Sequence, residues 1–243
     1  MIKLGVNIDH VATLRNARGD FFPSLLAAAS IVEQNGGDFI TIHLREDRRH
    51  IKDEDLFLLN NNVSTYINLE MACNKDVLDK ALAAKPVKVT LVPEKREEVT
   101  TEGGLNLITN FDKIKEYINE LKNNGIFTSL FIEPDVNLSD KIYSLAPDDV
   151  EIHTGRYANA KSVKEKVEIL KSIKEFSKKI KETGINVCAG HGLNFHNVEE
   201  ICKIDEIEEL NIGYSIITQA LFFGLANSVS KMKSLIRNSE SKE

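Results

Sequence analysis

The 243-residue chain contains no tryptophan, only three cysteines and five prolines, and no apolar run long enough to cross a bilayer. Cys73, Cys188 and Cys202 form no Cys-x-x-Cys pair, which argues against a disulfide framework or a thiolate zinc site and fits a reducing cytoplasm. The net charge of −6 argues against a nucleic-acid binder that works by bulk positive charge. Because no basic stretch followed by a long apolar segment opens the chain, we expect no signal peptide.

Short runs rich in valine, isoleucine and leucine alternate with longer helical patterns along the chain. The candidate strands are residues 3–8, 39–44, 66–71, 87–92, 127–132, 150–154, 186–189 and 210–212. Alternation of strands and helices predicts a parallel sheet. Eight repeats in a chain close to the ~250 residues of one such barrel favour a closed α/β barrel of the (β/α)8 TIM type. An open doubly wound sheet is the alternative.

The helical patterns predict helices over residues 24–34, 75–84, 112–123, 162–183 and 216–236. Ser24 is a candidate N-cap, and Gly36 and Gly37 follow the same helix as a candidate C-cap. A stripe from Val163 to Phe176 is expected to face the core. No linker or low-complexity tract divides the chain, so residues 1–243 are interpreted as one domain with a polar, frayed tail over 238–243.

Polar side chains cluster where the predicted strands end. They are Asn7, Asp9, His10, His43, Glu70, Glu94, Glu151, His153, His191 and Asn211. In a barrel the carboxyl ends of all strands meet in one mouth, where active sites are built. The sequence therefore predicts an active site in that mouth.

Three connections are predicted to be long binding loops, over residues 9–23, 44–52 and 93–111, and the last is a candidate lid. In the second loop, Arg45 and His50 lie near the mouth and are expected to bind an anion. Arg48 and Arg49 fit equally well as solvated ion pairs. Glycines after strands seven and eight, in Gly190-His191-Gly192 and at Gly213, predict a phosphate site on backbone N–H groups.

Glu70, His43 and His191 form a plausible proton-transfer set, because a carboxyl and two imidazoles can exchange protons near neutral pH. No lysine ends a predicted strand, so a Schiff base on the enzyme is not favoured. Two alternatives stay open. Imidazoles with Asp9 and Glu70 could bind a metal. A non-catalytic phosphate-binding protein would need the glycines and arginines only.

Several stretches together resemble the pyridoxine 5′-phosphate synthase family, over nearly the whole chain. The most specific are Gly5-Val6-Asn7-Ile8-Asp9-His10, His43-Leu44-Arg45-Glu46-Asp47-Arg48-Arg49-His50, Asn68-Leu69-Glu70-Met71, Thr100-Thr101-Glu102-Gly103-Gly104, Glu151-Ile152-His153-Thr154-Gly155, Ala189-Gly190-His191-Gly192-Leu193 and Glu209-Leu210-Asn211-Ile212-Gly213. The resemblance implies a cytoplasmic phosphate-binding barrel with extra helices and no metal or organic cofactor. It also implies an octamer built from dimers.

The implied reaction condenses 3-amino-2-oxopropyl phosphate with 1-deoxy-D-xylulose 5-phosphate into pyridoxine 5′-phosphate, inorganic phosphate and water. By resemblance, His43 and Glu70 are proton acceptors and His191 is the proton donor. The positions implied to hold the aminoketone phosphate are Asn7, Arg18, Gly192 and Gly213. Those implied to hold the deoxyxylulose phosphate are Asp9, His10, Arg45, His50 and Thr100. Tyr214 departs from the family, which often has histidine there. If only its backbone N–H meets phosphate, we expect the change to be mild.

Overall fold

Eight parallel strands form a closed barrel in chain order, and the last strand pairs with the first. The computed structural model describes residues 1–94 and 103–240. The strands are β1 (Lys3–Asn7), β2 (Phe39–His43), β3 (Ile67–Met71), β4 (Lys88–Leu91), β5 (Phe127–Ile132), β6 (Asp149–His153), β7 (Asn186–Gly190) and β8 (Ile207–Ile212). This confirms the predicted (β/α)8 TIM-type barrel, and the open-sheet alternative is wrong.

Helices surround the barrel and outnumber its strands. Those in the described part of the chain are α1 (Asp9–Arg18), α2 (Leu25–Gln34), α3 (Asp53–Asn62), α4 (Lys75–Ala84), α5 (Phe111–Asn123), α6 (Ser139–Leu145), α7 (Gly155–Ala158), α8 (Val163–Lys181), α9 (Val198–Cys202), α10 (Tyr214–Phe223) and α11 (Leu225–Glu240). The Ser24 side chain accepts a hydrogen bond from the Ala27 N–H, as its predicted N-cap role requires. None of the described helices has the length and apolar character needed to cross a membrane.

The prediction of a structureless connection over residues 9–23 is wrong, because α1 occupies its first ten residues. Asp9 lies in the first turn of α1 and Arg18 in the last, where their charges suit the helix dipole. Gly19 then ends the helix in the left-handed conformation, with φ 69°, and its N–H donates to the carbonyls of Arg15 and Asn16. Much of α1 is polar and exposed, which gave the sequence little helical periodicity. The short helices α3, α6, α7 and α9 were also missed.

The C-terminal helix predicted over 216–236 is in fact two helices. Gly224 separates α10 from α11 with φ 79°, a conformation that a residue with a side chain rarely adopts. The helix α11 continues to Glu240, four residues beyond its predicted end, and the rest of the predicted frayed tail, residues 241–243, lies outside the described residues. In α8 the predicted apolar stripe is half right: Ile173 and Phe176 are buried, whereas the stripe's N-terminal end is exposed at Val163.

The strands bury apolar side chains on their outer face and polar side chains on their inner face. Outward residues such as Leu4, Ile42 and Val150 join the helices in one hydrophobic core. The alternate, inward residues include Thr41, Asn68, Thr90, Ser129, Glu151 and Asn211, all of them buried. Barrel interiors are usually packed with branched aliphatic side chains. This interior is instead a hydrogen-bonded polar core that continues into the mouth.

Candidate active site

One side of the mouth is organised by the Asp9 carboxylate at the start of α1. The Asn7 amide donates to Asp9 Oδ2 at 2.9 Å, and the Asp9 N–H donates to Asn7 Oδ1 at 2.9 Å. The backbone N–H of His43 donates to Asp9 Oδ1 at 2.9 Å. These bonds join the ends of β1 and β2, so the structure brings three predicted site residues together.

The His43 ring lies between two carboxyl groups. Its Nδ1 is 3.9 Å from Glu70 Oε2, and its Nε2 is 3.6 Å from Glu94 Oε2. Beyond Glu94 lies the buried Arg45 guanidinium, with Nη2 3.6 Å from Glu94 Oε1. Burial alone would raise the pKa of Glu94, but His43 and Arg45 outweigh burial and lower it. Sequence reasoning placed Glu94 after strand four without giving it a role.

Two carboxyl groups, Glu70 near the end of β3 and Glu151 on β6, interact through their charges. Burial raises the pKa of Glu70 well above its ordinary range, and the charges of Glu151 and Asp9 raise it further. Burial also raises the pKa of Glu151, to about 8, although Lys88 and a hydrogen bond from Asn211 oppose that rise. Carboxyl groups with raised pKa values can accept and return protons near neutral pH.

His50 closes the same side of the mouth. Its Nδ1 is 4.0 Å from Asp9 Oδ1, and its ring centroid is 6.0 Å from that of His43. Burial lowers the pKa of His50, as do the nearby charges of His43 and Arg45, while Asp9 opposes the shift. Arg15 fixes the loop by donating to the His50 carbonyl at 3.3 Å and to Asp55 at 2.6 and 2.8 Å. This structural role of Arg15 was not foreseen.

The remaining arginines of these loops differ in their surroundings. Arg48 pairs with Asp53 at 2.7 Å and with Asp76 at 2.5 Å, and Arg49 pairs with Asp47 at 2.6 Å. This supports the ion-pair interpretation of both residues. Arg18 is exposed at the end of α1, and no hydrogen bond or ion pair joins it to the other described site residues.

The opposite side of the mouth holds a second histidine pair. His153 Nδ1 is 2.5 Å from Glu133 Oε1, and the His153 ring centroid is 4.9 Å from that of His191. His191 adopts a left-handed backbone with φ 75°, and the Thr154 hydroxyl lies 2.6 Å from its carbonyl oxygen. Burial lowers the pKa of His191 to about 4, and the charge of His153 adds to this effect. Glu133 was absent from the sequence prediction.

The predicted phosphate glycines lie at the ends of β7 and β8. Gly192 has φ 77°, and Gly213 is so close to Asn7 that a Cβ atom would lie 2.8 Å from the Asn7 Cβ. The helix α10 begins directly after Gly213, which places its N-terminus at the mouth. Tyr214 is exposed, and its ring meets the His10 ring edge-on at 5.2 Å. Thr100 lies outside the described residues.

Among the described residues, two groups have the composition of a metal site. Asp9, His43 and Glu70 each offer one ligand atom, and these atoms lie within 4.8 Å of one another at the mouth. The second group, Asp149, Cys188 and Glu209, lies deep in the barrel. There the Lys88 ammonium already contacts both carboxylates, at 2.7 Å from Asp149 and in a short contact with Glu209.

Comparison with solved structures supports the fold. N-(5′-phosphoribosyl)anthranilate isomerase from Pyrococcus furiosus matches with a TM-score of 0.64 at 15% identity, covering 98% of this chain and 100% of that one. A tryptophan synthase structure from M. tuberculosis matches with a TM-score of 0.65 at 12% identity, covering 97% of this chain and 93% of that one. At such low identity these matches describe the barrel only.

Curated relatives share far more of the sequence. A protein of Sulfurihydrogenibium sp. (strain YO3AOP1) named pyridoxine 5′-phosphate synthase is 52% identical over 242 residues, covering 98% of each chain. One of the same name from Aquifex aeolicus (strain VF5) is 48% identical over 241 residues, covering 97% of this chain and 100% of its own. The family model described as pyridoxal phosphate biosynthesis protein PdxJ matches residues 4–238. On this evidence the chain belongs to the PdxJ family of pyridoxal phosphate biosynthesis proteins.

Proposed function

We propose that this enzyme condenses 3-amino-2-oxopropyl phosphate with 1-deoxy-D-xylulose 5-phosphate to give pyridoxine 5′-phosphate, inorganic phosphate and water. Family membership supports a role in pyridoxine 5′-phosphate biosynthesis. The observation that carries the finer proposal is the mouth itself. The mouth brings together carboxyl groups whose pKa values are raised and an imidazole, that of His191, whose pKa is lowered. These groups lie between two regions suited to binding anions.

The proton-transfer roles follow from chemistry and position. Imine formation, phosphate elimination, water addition and ring closure each need a proton added or removed. Glu70 and His43 lie together on one side and are the proposed acceptors. His191 is the proposed donor from the other side. Because its pKa is about 4 in the free protein, we infer that the negative charge of a bound phosphate raises it enough to hold a proton.

The two phosphates are assigned to separate pockets. The aminoketone phosphate would bind Asn7, Gly192 and Gly213 beside the N-terminus of α10, together with Arg18. The deoxyxylulose phosphate would bind through Asp9, His10, Arg45, His50 and Thr100. The imine would use the amine of the substrate, so the reaction needs no lysine nucleophile. We propose no metal or organic cofactor. A lid role for the loop over residues 93–111, of which residues 95–102 lie outside the described part of the chain, is part of the same proposal.

Tyr214 fits the pocket as a backbone contact. As the first residue of α10 it can direct its N–H towards phosphate whatever its side chain. A Tyr214→His variant should therefore have nearly the same KM for the aminoketone. A many-fold lower KM in that variant would show that an imidazole is needed.

We also propose self-association, as an octamer built from dimers. Four phenylalanines of the region near α1 and α10 are exposed: Phe21, Phe22, Phe222 and Phe223. Exposed aromatic side chains on this scale are typical of surfaces that another chain covers. Size-exclusion chromatography with light scattering would give the assembly mass, and a strictly monomeric mass would contradict the proposal.

The testing experiment follows both products at once. Chelator-treated protein is mixed with the two phosphorylated substrates, and pyridoxine 5′-phosphate and free phosphate are measured together. Equal formation of both, only when both substrates are present, is the expected result. Activity that appears only after metal is added would favour the site at Asp9, His43 and Glu70 as a metal centre.

Matched variants separate catalysis from binding. Glu70→Gln and His43→Asn should abolish turnover while substrate binding persists, measured by calorimetry. Glu116→Gln, an exposed change on α5, is the control and should leave turnover intact. If the wild-type protein binds both substrates but forms no product with or without metal, a phosphate-binding protein is the better interpretation.

A further inference from the structure

Behind His191 lie two side chains to which the proposed reaction assigns no role, those of Glu133 and His153. Glu133 follows β5 and His153 ends β6, and His153 Nδ1 is 2.5 Å from Glu133 Oε1. The His153 ring centroid is 4.9 Å from that of His191, and the two ring planes are tilted by 59°. His153 therefore lies between a carboxyl group and the proposed proton donor.

The Glu133 oxygen that faces His153 also accepts a backbone hydrogen bond. The Gly104 N–H donates to Glu133 Oε1 at 3.2 Å, and because a backbone N–H can only donate, Oε1 acts as an acceptor. Gly104 is held against the end of β5. The Leu105 N–H donates to the Phe131 carbonyl at 2.8 Å, and a Cβ atom at Gly104 would lie 2.3 Å from the Glu133 nitrogen. The position of this donor is therefore set without any help from His153.

These contacts determine which nitrogen of His153 carries the proton. His153 Nε2 is buried and has no hydrogen-bond partner within the described part of the chain. A proton on Nε2 would leave a buried donor unsatisfied, whereas a proton on Nδ1 is donated to Glu133. Burial alone would raise the pKa of Glu133, but the bond from His153, the Gly104 N–H and the charge of Arg156 outweigh burial and lower it. The ionised carboxylate accepts both hydrogen bonds, and the neutral His153 ring is the Nδ1–H tautomer.

Packing around the two imidazole rings leaves little room for them to move. The Phe131 ring centroid is 5.1 Å from that of His153 and 6.4 Å from that of His191. A Cβ atom at Gly155 would lie 2.4 Å from His153 Nε2 and 3.1 Å from His191 Cδ2, so a side chain there would displace the rings. The Thr154 hydroxyl holds the His191 carbonyl at 2.6 Å. The backbone of His191 is thus held by Thr154, and its ring is held by the rings beside it, of which His153 is the closer.

We propose that Glu133 is a positioning residue for the proton donor: it fixes the tautomer and orientation of His153, whose ring holds the His191 ring in place. A misplacement of ~1 Å in a reacting group can cost about a hundredfold in rate. The effect on turnover rests on the proposed synthase reaction, in which His191 donates a proton. The effect on the His153 tautomer does not depend on that reaction.

The first test is solid-state NMR of protein in which only histidine carries 15N and 13C. Ring shifts distinguish protonated from unprotonated nitrogens, and the His153 signal is the one that His153→Phe lacks. At a pH of about 8.5, above the ordinary histidine pKa of about 6.5, wild-type His153 should be the Nδ1–H tautomer. Glu133→Gln should keep this form, because the Gly104 N–H holds the amide oxygen where the carboxylate oxygen was. Glu133→Leu removes the acceptor, and the Nε2–H tautomer should appear.

The second test uses the product assay. Glu133→Leu should lower kcat by about tenfold to a hundredfold, because the His191 ring is no longer held in one orientation. KM for each substrate should stay within about threefold, since Glu133 belongs to neither proposed phosphate pocket. Glu133→Gln, the conservative change, should restore kcat to within about threefold of wild type. The exposed control Glu116→Gln should change neither kcat nor KM.

A double-mutant cycle tests whether Glu133 acts through His153. His153→Phe keeps an aromatic ring but cannot donate to Glu133, so it should lower kcat by about the same factor as Glu133→Leu. Adding Glu133→Leu to His153→Phe should then lower kcat by less than about twofold further, because the contact between the two residues is already lost. A residue needed only for folding would not give this result.

Several outcomes would overturn the positioning role. These are a wild-type His153 with its proton on Nε2, a Glu133→Gln variant that loses as much kcat as Glu133→Leu, and single losses that multiply in the double variant. A rise in KM with unchanged kcat would overturn it too. Wild-type protein that forms no product contradicts the synthase function instead, and the NMR spectra still test the tautomer. Thermal melts check that each variant is folded, and if Glu133→Leu is not, the wild-type and Glu133→Gln spectra and rates decide.

Discussion

Replacing Glu151 by glutamine should make the unfolding free energy less dependent on pH. In the folded protein the pKa of Glu151 is about 8, whereas in the unfolded chain it returns to about 4.5. Between these values the folded state binds a proton that the unfolded state has lost, so wild-type stability falls as pH rises. The slope is ~1.4 kcal/mol per pH unit. We therefore expect the unfolding free energy of Glu151→Gln, taken relative to that of wild type, to increase by about 2–3 kcal/mol between pH 5 and pH 7.

Urea unfolding of the two proteins at pH 5, 6 and 7 measures this difference. Glutamine can still accept the hydrogen bond from Asn211, so packing changes little. The exposed substitution Glu116→Gln is the control and should give a difference that is flat across the same pH range. A flat difference for Glu151→Gln, or one that shrinks as pH rises, would refute the assignment of a buried, proton-holding carboxyl group.

Further predictions concern the barrel interior and the phosphate side of the mouth. Lys88→Met removes the buried cation shared by Asp149 and Glu209, and Glu209 keeps only its pair with Lys3, so the change should cost ~3–5 kcal/mol in urea unfolding; a loss below ~1 kcal/mol would contradict the structure. His191 should titrate by NMR with a pKa of about 4, and inorganic phosphate should raise that value because the anion favours the protonated ring; an unchanged value would contradict phosphate binding beside it. Gly192→Ala, at φ 77° and with a Cβ atom 2.6 Å from the Ala158 Cβ, should weaken aminoketone binding more than deoxyxylulose binding, measured as separate KM values.

The positions of His43, Glu70 and His191 at the strand ends could be predicted from the sequence, whereas their catalytic roles stay predictions. His43, Glu70 and His191 follow β-rich runs, and a parallel barrel directs the ends of all its strands into one mouth. The Ser24 cap and the eight strands were predicted for the same reason, since local pattern alone specifies them. Motif spacing across nearly the whole chain also predicted the family that the relatives then showed.

Helices with weak periodicity were not predictable in this way. Much of α1 is exposed and polar, so its helical state depends on its cap and on the ion pair between Arg15 and Asp55, which are 40 residues apart. The long C-terminal pattern hid the break at Gly224, because a glycine between two apolar segments does not reveal its φ angle.

The sequence by itself determined the barrel, its strand order and the identity of the mouth residues, because hydrophobic periodicity and strand-end chemistry are local properties. Only the tertiary structure decided which charges meet. Glu94 meets His43, Glu133 meets His153, and Asn211 meets Glu151, and the two partners of each pair come from different strands or from the loops that follow them. Barrel closure brings these groups within a few ångströms and removes water from around them. Their pKa values, and hence their chemistry, follow from that burial.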